Sequence, residues 1–293
     1  MNRRARLFDM IAIRTIQGAV VLLVGGLALM ILSLVRAGFG ELTSAHFYTS
    51  APNIAGPGSG IAPQLFNTLY VLVLTLVICI PVGLLAGIYF AEYAGEGRGA
   101  NLIRRATETL ATLPSIVVGL FGYALFVTAT HSHPSRLAAG LSLVVINLPY
   151  AVRVSEDALR AVPPTMREGS LALGATRWQT IVRVLIPAAL PSLVTGVILM
   201  AGRVFGEAAA VLFTGSAGAI TNQSNFSLNP LAPGDTLAVD LYVFRIQAEP
   251  SAVPDARQYA DGVAAFLVLV VLMFNVSARL AGRRLVNKLQ GAT

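Results

Sequence analysis

The stretch LFNTLYVLVLTLVICIPVGLLAGIY, residues 65–89, runs for 25 residues without a charged side chain. An α-helix rises 1.5 Å per residue, so about 20 such residues cross the roughly 30 Å of hydrocarbon in a bilayer. One apolar block of comparable length precedes this stretch in the chain, and four follow it. We place these at residues 15–35, 110–130, 137–152, 188–215 and 262–278. The sequence therefore predicts an all-α membrane protein with six transmembrane helices.

Composition and charge agree with a membrane location. The chain is 55% hydrophobic and 12% charged, with a mean hydropathy of +0.72, which leaves too little polar surface for a soluble globule of 293 residues. The net charge of +7 does not point to nucleic acid as a partner, because the basic residues flank the spans instead of forming one patch. With the N-terminus inside, sixteen of the 21 basic residues are cytoplasmic and only four lie outside: Arg36, Arg136, Arg245 and Arg257. This bias predicts that both termini are cytoplasmic and that the main surroundings are membrane lipid.

The segments between the spans contain no separate soluble domain, so we treat residues 1–293 as a single transmembrane domain. The external loop 36–64 is predicted to be irregular. In the other external loop, 216–260, the apolar run 237–246 is expected to lie against the membrane surface or cap the external mouth. Because the fourth block is short, its flanking arginines, Arg136 and Arg153, are expected to snorkel towards water. No P-loop pattern occurs, so any energy from ATP must come from a partner chain.

The segment PPTMREGSLALGATRWQTIVRVLIP, residues 163–187, is the most informative loop. The proline pair at its start ends the preceding helix. We then expect a capping box in which the Thr165 hydroxyl and the Glu168 side chain satisfy unpaired N–H groups at the start of a short helix. Gly174 suits the left-handed position that closes such a helix.

A second short helix is predicted directly after the first. Thr176 and Gln179 have the spacing of another capping box, and Pro187 is expected to end this helix where the chain re-enters the bilayer. The pattern predicts a rigid helix–turn–helix on the cytoplasmic side. Such a segment can simply join two spans, and its shape is also used to read DNA, but a 25-residue insert held at the membrane at both ends makes DNA binding improbable.

The fifth block contains GRVFGEAAAVLFTG, residues 202–215, and thus two charged residues inside a span. Arg203 and Glu207 are four residues apart, so they are expected to share one helical face and to pair. The pair can be purely structural, each charge offsetting the burial of the other. Intramembrane charge costs at least about 2.5 to 3.5 kcal/mol, however, and usually lies along a substrate or ion path, which is the reading we favour. Gly202 and Gly206 would let a neighbouring helix or a partner chain approach closely.

Other candidate chemical groups are weak. The only cysteine, Cys79, lies within the second block and is assigned no role. His131 and His133 form an isolated His-x-His without further ligands nearby, so no metal site is predicted. An intramembrane enzyme would need a nucleophile and a base within the spans, and a stand-alone secondary carrier would be expected to show two related halves with coupling-ion residues. We therefore predict no catalytic residue and disfavour the carrier.

The loop resembles the signature of ABC importer permeases. In that signature a glutamate is followed by two small residues, by glycine six positions later and by an apolar–x–apolar–proline ending nineteen positions later. Here these are Glu168, Gly169 and Ser170, then Gly174, then Pro187. With LPSIVVGLFGYALFV (residues 113–127) and GRVFGEAAAVLFTG (residues 202–215), the chain resembles the phosphate ABC transporter permeases of the PstA type, across all six spans in order. One departure is the run of three alanines at 208–210, where Thr, Ala and Pro are expected.

The resemblance implies a type I, MetI-like permease fold in a bacterial inner membrane, with residues 163–187 as the coupling helices that dock on an ATPase. It implies phosphate translocation by alternating access, with Arg203 and Glu207 on the path. The implied partners are a second, related permease forming a heterodimer, two ATPase subunits and a periplasmic phosphate-binding protein. ATP and Mg would be used by the ATPase, with no cofactor bound by this chain. Another oxyanion as cargo, or identity with the paralogous phosphate permease, remain open alternatives.

Overall fold

The computed structural model describes residues 3–52, 59–95, 97–216, 226–247 and 255–290. Every regular element in these residues is helical, which confirms the predicted fold class. The helices are α1 (Arg3–Ala37), α2 (Phe39–Leu42), α3 (Ala45–Thr49), α4 (Ala62–Ile88), α5 (Arg98–Ala111), α6 (Ser115–Tyr123), α7 (Arg136–Arg160), α8 (Pro164–Ala172), α9 (Arg177–Thr180), α10 (Ile186–Phe205), α11 (Ala209–Thr214), α12 (Leu237–Tyr242) and α13 (Ala256–Gln290). Five-residue π-helical segments follow α4, α6, α9 and α12: Tyr89–Tyr93, Ala124–Thr128, Ile181–Leu185 and Val243–Gln247.

Five continuous helical stretches of the described chain are long and apolar enough to cross a bilayer: Phe8–Ala37, Ala62–Tyr93, Arg136–Arg160, Arg177–Phe205 and Ala256–Arg284. A sixth crossing requires that α5 and α6, with its π-helical extension, count as one bent span. The number of six spans therefore stays a prediction. Four predicted blocks, 15–35, 65–89, 137–152 and 262–278, fall within or nearly within longer helices, because helices continue beyond the hydrocarbon into the polar interface.

The predicted third span, 110–130, is wrong as a single straight helix. Helix α5 ends at Ala111, α6 begins at Ser115, and their axes differ by 99°. Pro114 lies immediately before α6; its ring fixes its own φ and disfavours helical geometry at the residue before it. The apolar residues at the start of the predicted block thus belong to the end of α5, whose basic residues make it amphipathic.

Helices α4 and α7 form the most extensive helix–helix contact of the described chain. A Cβ built on Gly83 would lie 2.5 Å from Ala151 Cβ, and one on Gly87 would collide with Ser155 Cβ. Cys79, fully buried in the same interface, lies with its Sγ 3.8 Å from the Val144 carbonyl oxygen. The two glycines therefore let the helix backbones approach more closely than larger residues would allow.

The external segment 36–64 is partly helical, contrary to the irregular loop that we predicted. It contains α2 and α3, and Phe47 on α3 is completely buried. The Phe47 ring makes edge contacts with Tyr259 and Phe266 of α13, with centroids 6.0 and 6.3 Å apart. These aromatic contacts of Phe47 hold the segment against α13, and the composition of the loop did not reveal them. Residues 53–58 of the segment lie outside the described part of the chain.

The second external segment, 216–260, is described only in part, since residues 217–225 and 248–254 are not. Much of its apolar run 237–246 packs into the core of the bundle, while Tyr242 and Ile246 stay exposed; a position against the membrane surface or over the external mouth stays a prediction. Leu237, Val239 and Phe244 are buried, and the Leu237 N–H donates to Thr68 Oγ1 on α4 at 2.9 Å. The start of α12 therefore packs against the protein interior.

Arg136, expected to snorkel, is instead completely buried at the start of α7. Its guanidinium lies 5.4 Å from the ring centroids of both Phe66 and Tyr70 and donates to the Ser227 carbonyl oxygen. A Cβ at Gly234 would come within 2.8 Å of its Nε, so only glycine fits there. The arginine is retained inside because aromatic faces and a backbone oxygen replace water around the cation.

Candidate functional site

Arg203, the predicted path residue, lies in the last turn of α10 with its side chain exposed. It lines a cavity of about 380 Å³ between the end of α7, α5 and α10. The lining combines apolar residues with four arginines and three carboxylates: Arg104, Arg153, Arg160, Arg203, Glu108, Glu156 and Asp157. An opening lined by so many charges is suited to hydrated ions or small anions, not to an apolar ligand.

Glu207 does not share a helical face with Arg203, which corrects the prediction. Helix α10 ends at Phe205, Gly206 caps it, and the chain is non-helical until α11 begins at Ala209. Arg203 forms no ion pair with Glu207 or with any other described residue. The i,i+4 argument failed because it assumed an unbroken helix across a glycine, and glycine disfavours the helix interior.

The two glycines flanking Arg203 differ in what they contact. A Cβ at Gly202 would lie 3.2 Å from the Asn275 side chain, so Gly202 brings α10 close to α13, as the prediction of helix packing requires. Gly206 is exposed, and the nearest atom to a Cβ built there is a backbone oxygen of its own helix at 4.0 Å. Within the described chain, Gly206 therefore marks the end of helix α10 and contacts no other helix. Its packing against a partner chain stays a prediction.

Two of the cavity arginines are committed to the structure. The Glu156 carboxylate accepts from Arg104 Nε at 3.0 Å and pairs with Arg160 Nη2 at 2.9 Å. Both guanidinium groups also donate to the Phe90 carbonyl oxygen, at 3.1 and 3.3 Å. These bonds join α5, α7 and the π-helical segment after α4, so Arg104 and Arg160 act as fixed parts of the cavity wall.

The other two arginines are available to a ligand. Arg153 reaches Glu108 and Asp157 only at 3.6 and 3.9 Å, and 67% of its side chain is exposed. Such loose, solvated ion pairs contribute little to stability and break readily. Arg153 and Arg203 are thus the guanidinium groups of the cavity that an anion can engage with least competition.

Sequence reasoning missed the wall formed by Arg104, Arg153, Glu156 and Arg160. The predicted fourth span stopped at residue 152, whereas α7 continues to Arg160. The signal was present: Arg153 with Asp157, and Glu156 with Arg160, have i,i+4 spacing, which is typical of a helix that continues into water. The contribution of Arg104 required the fold, because it comes from a different helix.

The predicted coupling loop is a helix pair, but its first capping box is wrong. Helix α8 begins at Pro164, with Pro163 as its N-cap and no side-chain cap. Thr165 and Glu168 therefore lie inside the helix. Proline at the first helical position needs no capping partner because it has no N–H, and its φ is already helical.

The closure of α8 and the second capping box are as predicted. Gly174 has φ +85°, in the left-handed region that closes a helix. Thr176 Oγ1 accepts from the Gln179 N–H at 3.3 Å, and Gln179 Oε1 accepts from the Thr176 N–H at 2.9 Å. Ser170 Oγ lies 2.9 Å from Thr180 Oγ1 and links α8 to the second helix. The turn is thus fixed at both sides.

Pro187 does not end the second helix, contrary to the prediction. The chain is continuously helical from Arg177 to Phe205, with Pro187 in the first turn of α10 directly after the π-helical segment Ile181–Leu185. The wider π-helical turn changes the hydrogen-bond spacing before the proline, so its ring and missing N–H are tolerated. The coupling segment therefore continues directly into the span that carries Arg203.

The coupling pair presents an apolar surface and is tied to the bundle by one ion pair. Glu168 and Gly169 are exposed, as are several apolar side chains around them: Met166, Leu171, Leu173 and Trp178. Arg167 of α8 forms two bonds to the Glu92 carboxylate after α4, at 3.1 and 2.5 Å. A bidentate guanidinium–carboxylate pair fixes orientation as well as distance. Motion of α8 is thereby linked to the end of α4.

A buried carboxyl lies at the opposite end of the bundle, near the starts of α4 and α13. Asp240 of α12 is 4% exposed, and its Oδ2 lies 2.5 Å from the Tyr259 hydroxyl oxygen. Burial raises the pKa of Asp240 to about 8; the hydrogen bond with Tyr259 opposes this shift, and Asp235 adds to it. Among the described residues, here or elsewhere, no group of three or more His, Cys, Asp or Glu could hold a metal ion.

Comparison with known proteins identifies related sequences. The family described as "Binding-protein-dependent transport system inner membrane component" matches residues 79–291. The chain is 44% identical over 256 residues to the probable ABC transporter permease protein YqgI of Bacillus subtilis (strain 168), covering 84% of this chain and 85% of that protein. It is 35% identical over 232 residues to the phosphate transport system permease protein PstA of Haemophilus influenzae, covering 79% and 78%. The PstA 1 protein of Mycobacterium tuberculosis is 33% identical over 219 residues, covering 75% and 69%.

Solved structures share the fold at lower identity. An inward-facing MetNI methionine ABC transporter aligns with a TM-score of 0.56 and 21% identity, covering 78% of this chain and 94% of that one. A bacterial alginate ABC transporter, in complex with an alginate pentasaccharide-bound periplasmic protein, aligns with a TM-score of 0.65 and 17% identity, covering 97% and 96%. At these identities the likeness concerns the fold alone, and it confirms the predicted MetI-like permease fold.

Proposed function

Because the chain belongs to the family of inner-membrane components of binding-protein-dependent transport systems, it is the permease subunit of an ABC importer, of the PstA type, and we propose that its cargo is inorganic phosphate. The named phosphate permeases among its relatives support this cargo, while the relative with 44% identity is named only as a probable permease. The neighbours of known structure carry methionine and alginate, so the fold does not choose a substrate.

The observation that carries the proposal is Arg203 in its charged cavity. Its guanidinium makes no ion pair in the described chain, and it shares the cavity with the loosely held Arg153. A planar guanidinium binds a tetrahedral oxyanion through two parallel hydrogen bonds. The surrounding carboxylates keep the site from holding the anion too tightly, as release into the cytoplasm requires.

The break after α10 supports a path at this position. Backbone that is not helical at membrane depth is tolerated only where it is buried in protein or lines a water-filled cavity. The break at residues 206–208 follows Arg203 within one turn, so non-helical backbone and the guanidinium lie close together along the chain. Glu207, half-buried in the break, lies near enough along the chain to repel a lingering anion.

ATP-driven alternating access completes the proposal. Two ATPase subunits, which bind ATP and Mg, dock on the apolar surface around Glu168, Gly169 and Ser170. Their closure moves α8 and the second coupling helix, and the continuous helix from Arg177 carries that motion to Arg203. A second, related permease supplies the other half of the path, and a periplasmic phosphate-binding protein delivers the anion. No catalytic step is assigned to this chain.

The test is uptake of radiolabelled phosphate in cells lacking the gene and restored with wild type, Arg203→Gln or Arg203→Lys. We expect wild type alone to restore high-affinity uptake, with both variants reduced by about tenfold or more because each loses the bidentate fork. Sulfate and molybdate serve as competitors. Arg245→Gln, at the other end of the bundle, is the control and should transport normally.

Two results would contradict parts of this proposal. Normal phosphate uptake by Arg203→Gln at wild-type expression would exclude the arginine from the path. Competition by sulfate or molybdate instead of phosphate would reassign the cargo to another oxyanion. Co-purification with an ATPase distinguishes the importer from a stand-alone secondary carrier, since only the importer should lose its ATPase when the surface around Glu168 is changed.

A further inference from the structure

Two carboxylates of the charged cavity still have open hydrogen-bond acceptors. Glu108 and Asp157 both line the cavity, and 61% and 70% of their side chains are exposed. They lie 3.6 and 3.9 Å from Arg153, beyond the roughly 2.7 to 3.2 Å of an N–H···O hydrogen bond. Glu156, by contrast, is already held by two arginines. Glu108 and Asp157 are therefore the carboxylates of the cavity that a ligand can engage.

These carboxylates lie beside the place where an anion would meet Arg153. The guanidinium has its Nη1 towards Glu108 on α5 and its Nε towards Asp157, one turn further along α7. An anion oxygen that accepts from Nη1 at about 2.9 Å is no more than about 6.5 Å from Glu108 Oε1. Rotation about the bonds of the exposed Glu108 side chain can close that gap. The arginine that attracts an anion thus brings it next to negative charge.

Neither carboxylate is needed to hold the helices together. Helices α5 and α7 are already joined by the hydrogen bond from Arg104 Nε to Glu156 at 3.0 Å. The pair of Glu108 with Arg153 is longer and exposed on both sides, so it contributes little to stability. A structural role therefore does not account for a second acidic side chain of α5 at this cavity, and a role towards the ligand remains.

Negative charge next to a guanidinium distinguishes oxyanions by their protons. At neutral pH phosphate carries one or two protons, whereas sulfate and molybdate carry none. A protonated phosphate oxygen can donate to a carboxylate, which replaces repulsion by a charge-assisted hydrogen bond. Sulfate has the same tetrahedral shape but cannot donate, so its oxygens are only repelled. A site that hydrogen-bonds a substrate O–H rejects an analogue that lacks it, because the polar group of the site is then left unpaired.

We propose that Glu108, assisted by Asp157, determines which oxyanions the cavity accepts. The two carboxylates accept the O–H of a hydrogen phosphate bound at Arg153 and Arg203, and they repel tetrahedral oxyanions that carry no proton. The ligand class is a protonated tetrahedral oxyanion, which includes phosphate and arsenate and excludes sulfate and molybdate. This selectivity rests on the proposed function, because the cavity of Arg203 must be the path of the anion.

The experiment measures equilibrium binding of radiolabelled phosphate to the purified, assembled transporter, with sulfate or arsenate as competitor. The periplasmic binding protein is left out, because it would select the anion itself. At about pH 8 phosphate and sulfate are both mainly divalent, so they differ in the proton and not in charge. We expect wild type to prefer phosphate and arsenate over sulfate by about tenfold or more. Glu108→Gln should lower this preference by about tenfold, since an amide also donates to sulfate, and adding Asp157→Asn should remove the rest.

Asp9→Asn is the matched control, since it removes one negative charge from an exposed position on α1, outside the cavity lining. Its preference should equal that of wild type, and ATP hydrolysis by every variant confirms assembly. An unchanged phosphate-to-sulfate ratio in the double variant, an equal gain in affinity for both anions, or no phosphate preference in wild type would overturn the selectivity. Uptake by Arg203→Gln tests the proposed function separately: loss of uptake with an unchanged ratio would keep the path and remove only the role of Glu108.

Discussion

At the scale of single residues, Asp240 is the group whose chemistry depends most on its surroundings. The Tyr259 hydroxyl lies 2.5 Å from Asp240 Oδ2 and 3.1 Å from the Gly60 carbonyl oxygen. A hydroxyl has one proton, and a carbonyl oxygen can only accept. Both contacts are hydrogen bonds if Asp240 is protonated and donates to the tyrosine oxygen while the tyrosine donates to Gly60. The neutral carboxyl thus keeps both contacts, whereas an ionised carboxylate that accepts from Tyr259 leaves the Gly60 oxygen without that proton.

This geometry predicts a pH-dependent stability. Because the pKa of Asp240 is raised to about 8, the folded protein holds a proton that the unfolded chain has lost above its ordinary pKa. The stabilisation is full below that ordinary pKa and falls, by up to about 1.4 kcal/mol per pH unit, as the pH approaches about 8. We expect the melting temperature of the purified transporter to decline from about pH 5 to about pH 8.

Asp240→Asn is the matched variant, since an amide keeps the shape and can donate to the tyrosine oxygen. Its melting temperature should vary less with pH than that of wild type over the same interval. A wild-type decline that persists unchanged in the variant would assign the pH dependence to other groups.

The charged residues of the functional site could be found in the sequence, but their spatial neighbours could not be predicted from it. Arg203 was found because a charge in an apolar block is conspicuous, and the cavity around it was not. Its partners come from α5 and α7, which are distant along the chain. Burial of Arg136 was missed for a similar reason: Phe66 and Tyr70 meet it only in the folded bundle.

At the scale of helices, the backbone angle of one residue in the coupling pair is expected to affect how the ATPase docks. Gly174 has φ +85° and open space around its Cα, so Gly174→Ala introduces backbone strain without a clash. A left-handed residue other than glycine costs about 1 to 2 kcal/mol. We expect about fivefold to thirtyfold weaker ATPase binding by the permease, measured by co-purification at graded ATPase concentrations.

Gly169→Ala is the control for this prediction. Gly169 lies inside α8, also with open space, and alanine there favours the helix. The variant should bind the ATPase as well as wild type does. Equal weakening by both substitutions would show that the surface, and not the left-handed turn, determines docking.

The Glu92–Arg167 pair is predicted to transmit motion from α8 to α4. Glu92→Gln or Arg167→Gln should reduce uptake per ATP hydrolysed while leaving basal hydrolysis in place. Uptake should fall because the pair is mostly shielded from water, so its loss is not replaced by solvent. The exchanged double variant, Glu92→Arg with Arg167→Glu, should recover part of the loss. Arg245→Gln, which breaks an exposed pair with Asp261, is the control. Additive losses without recovery would argue against direct coupling.

Helix ends were predicted less well than helix existence, and the physical reason differs from place to place. Gly174 and the Thr176–Gln179 box are local, so the sequence alone located them. The start of α8 was misplaced because two mechanisms for starting a helix, proline and a capping box, compete within three residues. The bend before α6 had a local signal in Pro114, which the prediction of one straight span overlooked, whereas the π-helical turn before Pro187 depends on packing that no local pattern contains.

At the scale of the whole molecule, the contacts favour six crossings. Helices α4 and α7 begin at the same end of the bundle, where Phe66 meets Arg136, and finish at the same end, where Phe90 meets Arg160. Two parallel neighbours require the chain to return between them. Helices α5 and α6 make that return, so we expect the bent pair to cross the membrane.

Labelling with a membrane-impermeant maleimide checks this topology. The native thiol gives little background, because Cys79 is fully buried. Intact cells should label His133→Cys, between α6 and α7, whereas Gly99→Cys, at the start of α5, should label only after permeabilisation. Labelling of both positions from the same side of the membrane would show that the bent pair of α5 and α6 does not cross it.

The close contact of α4 with α7 has a mechanical consequence. Side chains cannot slide past one another where Gly83 and Gly87 meet Ala151 and Ser155 without backbone between them giving way. The two helices therefore act as one rigid unit that extends from the ATPase side to the external side. Strain applied through Glu92 is therefore expected to move α4 and α7 as one unit, and α6 and α11 with them, because Gly122 meets Ser142 and Gly119 meets Ala210 just as closely.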